Sequence, residues 1–149
     1  MESAVPAVTA RPLGLLSIVA VAGAGTMTVE LSAVRLLAPW FGASSGVWTN
    51  VIGVILLALA IGYRLGAACA RGEAPRRSLA RMLYLAACAT AWQPFVARRV
   101  AEFFLPPGLG LAEAAALFLW GSLAAALVLF LPIALVLGLV GPLAVEVVQ

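Results

Sequence analysis

The chain of 149 residues is 64% hydrophobic and only 10% charged, and its mean hydropathy is +1.13. Soluble domains carry about a quarter charged residues, so a fold of this composition cannot keep its surface in water. These values exclude an ordinary soluble domain. We therefore predict an all-α integral membrane protein, with residues 1–149 forming a single transmembrane domain.

The net charge of +3 comes from nine arginines and six glutamates, because lysine, aspartate and histidine do not occur in the sequence. The arginines lie between apolar segments instead of along one face, which argues against nucleic acid as a partner. Without histidine the chain cannot form a Ser-His-Asp triad or a histidine metal site. We expect no catalytic residue, no cofactor and no metal.

The first apolar segment predicts a transmembrane helix over residues 13–39. Its length fits one tilted crossing. The small residues Val21-Ala22-Gly23 leave a cleaved secretory signal peptide as the alternative. The apolar segment continues well beyond them, which favours the transmembrane helix.

A second transmembrane helix is predicted over residues 47–70, after a connector at 42–46 whose glycines and serines are typical of a tight turn. The first two helices should therefore form a hairpin. In the second helix, Gly62 and Gly66 are spaced so that another helix can approach closely. We expect packing within the bundle there, with dimerisation as the alternative.

The most polar stretch, residues 71–78, precedes a third predicted helix over residues 79–97. This helix spans the membrane only if the arginine near its start extends its side chain to the membrane surface. The arginines around the polar stretch indicate the cytoplasmic side, and they could also bind anionic lipid headgroups at about 1 kcal/mol each. They are Arg71, Arg76, Arg77 and Arg81. In this orientation both termini are cytoplasmic.

A long apolar segment after Pro106-Pro107-Gly108 predicts a fourth helix over residues 111–141. It is either one helix kinked at Pro132 or two crossings with a turn there. The kinked helix is favoured, because no polar residue near Pro132 could satisfy a turn's backbone groups inside lipid. We also expect a break within residues 138–142, after which Pro142 opens a short last segment. Four spans are thus predicted, with five as the alternative.

Glu30 is the most unusual residue, because a carboxylate within an apolar span needs a partner, a proton or water. The predicted orientation places it near the outer ends of the first two helices, and we interpret it as part of one polar cluster. The other members are Arg35, Trp48, Thr49 and Asn50. The cluster could clasp the hairpin, bind a substrate or proton, or contact another subunit. The structural clasp is favoured.

Two stretches of the chain resemble the membrane region of bacterial spermidine synthase-like proteins. The first contains Val29-Glu30-Leu31 and, at residues 35–42, RLLAPWFG; the second contains VWTNVIG at 47–53 and GYRLG at 62–66. Leu131-Pro132 and residues 138–144 resemble the end of the same region more weakly. The resemblance implies a multi-pass protein of the bacterial cytoplasmic (inner) membrane.

In that family the membrane region commonly precedes a cytoplasmic domain that transfers an aminopropyl group to putrescine. This sequence has neither the glycine-rich turn nor the aspartates that such a domain uses. It also departs from the family at residues 66–71, GAACAR, where a glycine pair and an acidic residue usually end the second span. The resemblance therefore predicts a relationship to that family more firmly than it predicts an enzymatic activity.

We expect a non-catalytic membrane module or accessory subunit that anchors or contacts a partner. The expected partners are membrane lipid, another membrane or cytoplasmic protein, or a second copy of this chain. The alternative is a small homo-oligomeric transporter with Glu30 as a proton- or cation-coupled site. A third hypothesis is an enzyme subunit whose site forms only together with its partner.

Overall fold

A computed structural model of the chain describes residues 12–70, 75–105 and 111–148. These residues form four α-helices and contain no strand: α1 (Pro12–Phe41), α2 (Ser45–Ala70), α3 (Pro75–Phe104) and α4 (Leu111–Val148). The predicted all-α fold is confirmed.

Three helices are long and apolar enough to cross a membrane, at Leu16–Phe41, Ser45–Ala70 and Ala116–Val147. They make this a multi-pass membrane protein by length and composition. α3 equals α1 in length, at 30 residues, but it carries arginines towards both ends and is not among the three. Its crossing of the membrane, and with it the count of four spans, stays a prediction.

α3 extends beyond both ends of the helix predicted at 79–97. Pro94 lies within it, although an interior proline removes a backbone donor and its ring crowds the carbonyl group four residues earlier. The packing of the following turns compensates for this cost. Ala97 and Ala101, which follow Pro94, are fully buried in the main core. Tertiary packing therefore continues the helix past the point where the local sequence favours an end.

α4 is a single helix of 38 residues that contains both Pro132 and Pro142. The predicted break within residues 138–142 is wrong, and so is the alternative of two crossings with a turn at Pro132. The reason lies in the contacts of this stretch, because Gly138 and Pro142 pack directly against α2. A helix held along its length by a neighbour tolerates prolines that would end it in isolation.

The turn predicted between α1 and α2 is present. Gly42 has a φ of +74°, and its N–H donates to the carbonyl oxygen of Ala38 at 3.0 Å, which ends α1 in a left-handed glycine cap. Ser44 then caps α2, since its Oγ accepts a hydrogen bond from the N–H of Val47 at 3.4 Å. The main partner of α2 is nevertheless α4, so the expected hairpin of α1 and α2 contributes little of the packing.

α4 is the central helix and contacts each of the other three. In the apolar stretch of α4, 50% of the residues are buried inside the protein. The corresponding fractions are 33% for α2 and 17% for α1. α1 is thus the peripheral helix. The core lies between α4 and the helices around it.

α2 and α4 run parallel and touch through their backbones. A methyl group at Gly62 would overlap the carbonyl oxygen of Leu135 and lie 2.9 Å from Cα of Gly138. One turn later, a methyl group at Gly66 would lie 3.0 Å from Cα of Leu139. Small residues at this spacing let two membrane helices reach van der Waals contact.

The ends of α1 and α3 meet α4 at one point. A methyl group at Gly121 would lie 3.0 Å from Cε1 of Phe41 and 3.3 Å from the carbonyl oxygen of Phe104. Phe41 and Phe104 are the last residues of their helices, so α1 and α3 run in the same direction. We call this height in the bundle the Gly121 level and measure depth from it at 1.5 Å per residue.

We expect Gly62→Ala to lower the free energy of unfolding by about 1–3 kcal/mol, because the new methyl group meets backbone atoms that cannot rotate away. Gly53→Ala is the matched control in the same helix, since a methyl group there meets nothing within 4 Å. Detergent unfolding followed by circular dichroism compares the two variants. Equal stability would contradict backbone contact between α2 and α4.

Candidate functional site

Asn50 joins α2 to α4 at the Gly121 level. Its Nδ2 donates to the carbonyl oxygen of Leu119 at 2.8 Å and to Oγ of Ser122 at 2.9 Å. Ser122 is fully buried and donates its own hydroxyl proton to the same Leu119 carbonyl oxygen, at 2.9 Å. Both protons of the Asn50 amide are therefore used within the protein, and this group is a structural clasp between α2 and α4.

The structure does not bring the five residues of the predicted polar cluster together. Asn50 pairs with α4 and not with α1, and Oγ1 of Thr49 donates to the carbonyl oxygen of Ser45 in its own helix at 2.9 Å. Trp48 is 40% exposed. Arg35 is exposed and lies about 9 Å below the Gly121 level.

Glu30 lies deeper than the rest of that predicted cluster. It is eleven residues before Phe41, which places it about 17 Å below the Gly121 level. Its side chain is half-buried on the packed side of α1, one turn before the buried residues Ala33 and Val34. Within the described residues Glu30 has neither a hydrogen bond nor an ion pair.

Gln93 lies at the same depth on α3. It is eleven residues before Phe104, and it is only 8% exposed. Its Nε2 has no hydrogen-bond partner in the described part of the chain. Buried amide groups almost always form hydrogen bonds, so the N–H groups of the Gln93 side chain are donors that a further group could use.

Arginines lie at two depths on α3. Arg98 and Arg99 are about 8–9 Å below the Gly121 level, close to the depth of Arg35 on α1, and all three are exposed. Nε of Arg98 donates to Oε1 of Glu102 at 2.8 Å, and this hydrogen bond and the carboxylate's charge raise the pKa of the guanidinium. The pair is exposed, so it adds little stability.

The second group of arginines is near the start of α3, where Arg76, Arg77 and Arg81 are all exposed. Arg71 lies outside the described residues. Arg77 and Arg98 are 21 residues apart, about 32 Å along the helix, which is close to the thickness of a bilayer's hydrocarbon core. The two groups of arginines are thus separated by about the thickness of one bilayer's hydrocarbon core.

An open groove of about 750 Å³ separates α1 from α3, with Leu137 of α4 as its floor. Its walls come from the first half of α1 and the middle of α3, and they are almost entirely apolar. Glu30 is five residues after Gly25, a groove residue, and therefore lies about 140° around α1 from it. The groove and the Glu30 carboxylate lie on different sides of α1.

The chain matches no family model, no curated protein and no solved structure. Its function must therefore be inferred from its own residues. Among the described residues, no group of three or more histidine, cysteine, aspartate or glutamate side chains could hold a metal ion.

Two residues that the sequence interpretation passed over prove important. Ser122 is the partner of Asn50, and the signal for it was a hydroxyl residue inside a very apolar helix, where such groups usually bond to a neighbour. Gln93 lies near the end of the helix predicted over residues 79–97, and the sequence around it does not indicate burial. Only the packing of α3 against α4 buries its side chain.

We expect Asn50→Ala and Ser122→Ala each to lower the free energy of unfolding by about 1 kcal/mol. In a double-mutant cycle their coupling should be about 0.6 kcal/mol, the average for hydrogen bonds between membrane helices. Thr49→Ala is the control, because its hydroxyl bonds only within α2. A coupling energy of zero would contradict the clasp.

Proposed function

We propose that this chain is a non-catalytic membrane module, related to spermidine synthase-like proteins, that contacts a partner protein within the membrane. The observation that carries the proposal is Glu30, a half-buried carboxylate on the peripheral helix without a partner among the described residues. An ionised group in this position is costly in lipid unless a cation or a hydrogen-bond donor faces it. A helix from another chain can supply that group.

The position of Glu30 on α1 supports a protein contact. From Val29 to the end of α1 the helix contributes five residues to the core, whereas the described residues from 16 to 28 are exposed or half-buried. Thr26 and Glu30, one turn apart, lie where this packing ends. A partner helix on this face would cover the carboxylate and complete the packing of α1.

We further propose that α3 crosses the membrane, giving four spans, and that both termini lie in the cytoplasm of a bacterial cell. The uncharged stretch between Arg81 and Arg98 is about 24 Å long, and arginines at its ends can extend to the membrane surface. The arginines at the start of α3 then lie inside, as the bias of positive charge in cytoplasmic loops requires.

We expect a fluorescent-protein fusion at the C-terminus to fluoresce and an alkaline phosphatase fusion there to be inactive. A phosphatase fusion at Ala43, in the turn between α1 and α2, should be active. Colony assays of the three fusions test the orientation. An active phosphatase at the C-terminus would overturn it, because it would require an odd number of crossings or the opposite orientation.

A proton- or cation-coupled transporter is the second candidate, and one observation favours it. Glu30 and Gln93 carry polar atoms without partners at the same depth of about 17 Å on two helices that face α4. A carboxylate and an amide at one depth could alternately hold a proton or a small cation and release it.

We expect Glu30→Gln to reduce recovery of a partner that supplies a cation by about tenfold or more, because the neutral amide leaves that cation without its counter-charge inside lipid. A photo-cross-linking residue at Thr26 should link the native chain to that partner and the Glu30→Gln chain not at all. The control variant is Glu102→Gln, and the control position is Leu57 on α2, which is 54% exposed. Mass spectrometry of the mild-detergent complex provides the measurement.

The same variants separate the two candidates. If Glu30→Gln keeps its partner but abolishes pH-driven uptake in vesicles, the protein is a transporter. If the native chain is recovered alone, with no cross-link from Thr26 and no uptake, both proposals fail.

A further inference from the structure

The walls of the groove between α1 and α3 are apolar and suit a hydrocarbon chain. The hydroxyl of Thr28 donates to the carbonyl oxygen of Ala24, and that of Thr90 donates to the carbonyl oxygen of Ala86, both at 2.8 Å within their own helices. Neither hydroxyl proton is left for a ligand. The rest of the wall is largely Gly, Ala and aliphatic side chains, among them Val21, which is 71% exposed.

The groove is as deep as one leaflet of a bilayer. On α1 it extends from Ser17 to Val29, about 18 Å, and half of a typical hydrocarbon core is about 15 Å. It closes near the middle of the membrane, where Val29 and Ala33 of α1 and Ala97 of α3 are buried in one core. A transmembrane helix from a partner would need a groove through both leaflets, whereas a lipid tail needs one.

A guanidinium group stands at the mouth of the groove. Arg76 precedes Leu83, the first α3 residue of the groove wall, by seven residues, so the two lie within about 20° of each other around the helix and about 11 Å apart along it. Arg77 and Arg81 follow on the same exposed end of α3. Positive charge therefore lies where a lipid with its tail in the groove has its phosphate.

We propose that this groove binds one anionic phospholipid, with an acyl chain between α1 and α3 and its headgroup phosphate on Arg76. The lipid belongs to the leaflet in which α1 and α3 begin. Apolar walls of one-leaflet depth select a chain, and the arginines select an anionic headgroup over a zwitterionic one. The site uses the side of α1 away from Glu30 and does not depend on the partner contact proposed there.

Two glycines on α1 test the tail site. A methyl group at either Gly25 or Gly23 meets nothing within 4 Å, so both positions accept a larger side chain. Gly25 lines the groove, and Gly23 lies about 160° away around the helix. We expect Gly25→Leu to lower lipid binding by about fivefold or more by filling the groove, and Gly23→Leu to bind as the native chain does.

Arg76→Gln tests the headgroup. We expect it to lower the preference for phosphatidylglycerol over phosphatidylcholine by about fivefold, the equivalent of about 1 kcal/mol for one basic residue. Arg99→Gln, at the other end of α3, should leave that preference unchanged. Native mass spectrometry of the delipidated chain, titrated with each lipid in turn, measures both quantities.

These variants distinguish binding of the acyl chain in the groove from binding of the headgroup by Arg76. Loss with Gly25→Leu and a changed preference with Arg76→Gln support the site. Equal binding by Gly25→Leu and Gly23→Leu, with both variants as helical as the native chain by circular dichroism, would overturn it. A tail effect without a headgroup preference would overturn the assignment to an anionic lipid, as would binding of a protein in the groove.

Discussion

Direct backbone contact between α2 and α4 is the constraint on which the rest of the fold depends. Inside lipid no hydrophobic force drives one apolar helix towards another, so association depends on close packing and hydrogen bonds. Gly62 and Gly138 provide the packing at one end of the pair, and Asn50 with Ser122 provides the hydrogen bonds at the other. Together they fix the register of two parallel helices and place α4 at the centre of the bundle.

The same arrangement determines which polar groups remain available. The amide of Asn50 and the hydroxyls of Thr28, Thr49 and Thr90 donate within the protein, so these donors offer little to a ligand. Glu30 and Nε2 of Gln93 have no such partner among the described residues. An unsatisfied group in a low-dielectric interior is expensive. Both groups lie about 17 Å below the Gly121 level, one on α1 and one on α3.

α3 is the most polar of the four helices. Its arginines lie in two groups about a bilayer's thickness apart, and its packed face of alanines and Gln93 lies against α4. α1 is packed only over its second half, so the first half leaves a groove beside α3. A partner at Glu30 and a lipid in the groove would therefore contact opposite sides of the same helix.

Composition and periodicity alone determined that the chain is a helical membrane protein, because lipid forces a chain this apolar to satisfy its backbone within helices. They also predicted a turn at 42–46, which the structure places at 42–44, and they singled out Gly62, Gly66 and Glu30. Only the tertiary structure decided that α3 continues to Phe104, that α4 continues through Pro142 without a break, and that Asn50 pairs with α4. Those outcomes depend on contacts between residues up to 72 positions apart, which local sequence cannot specify.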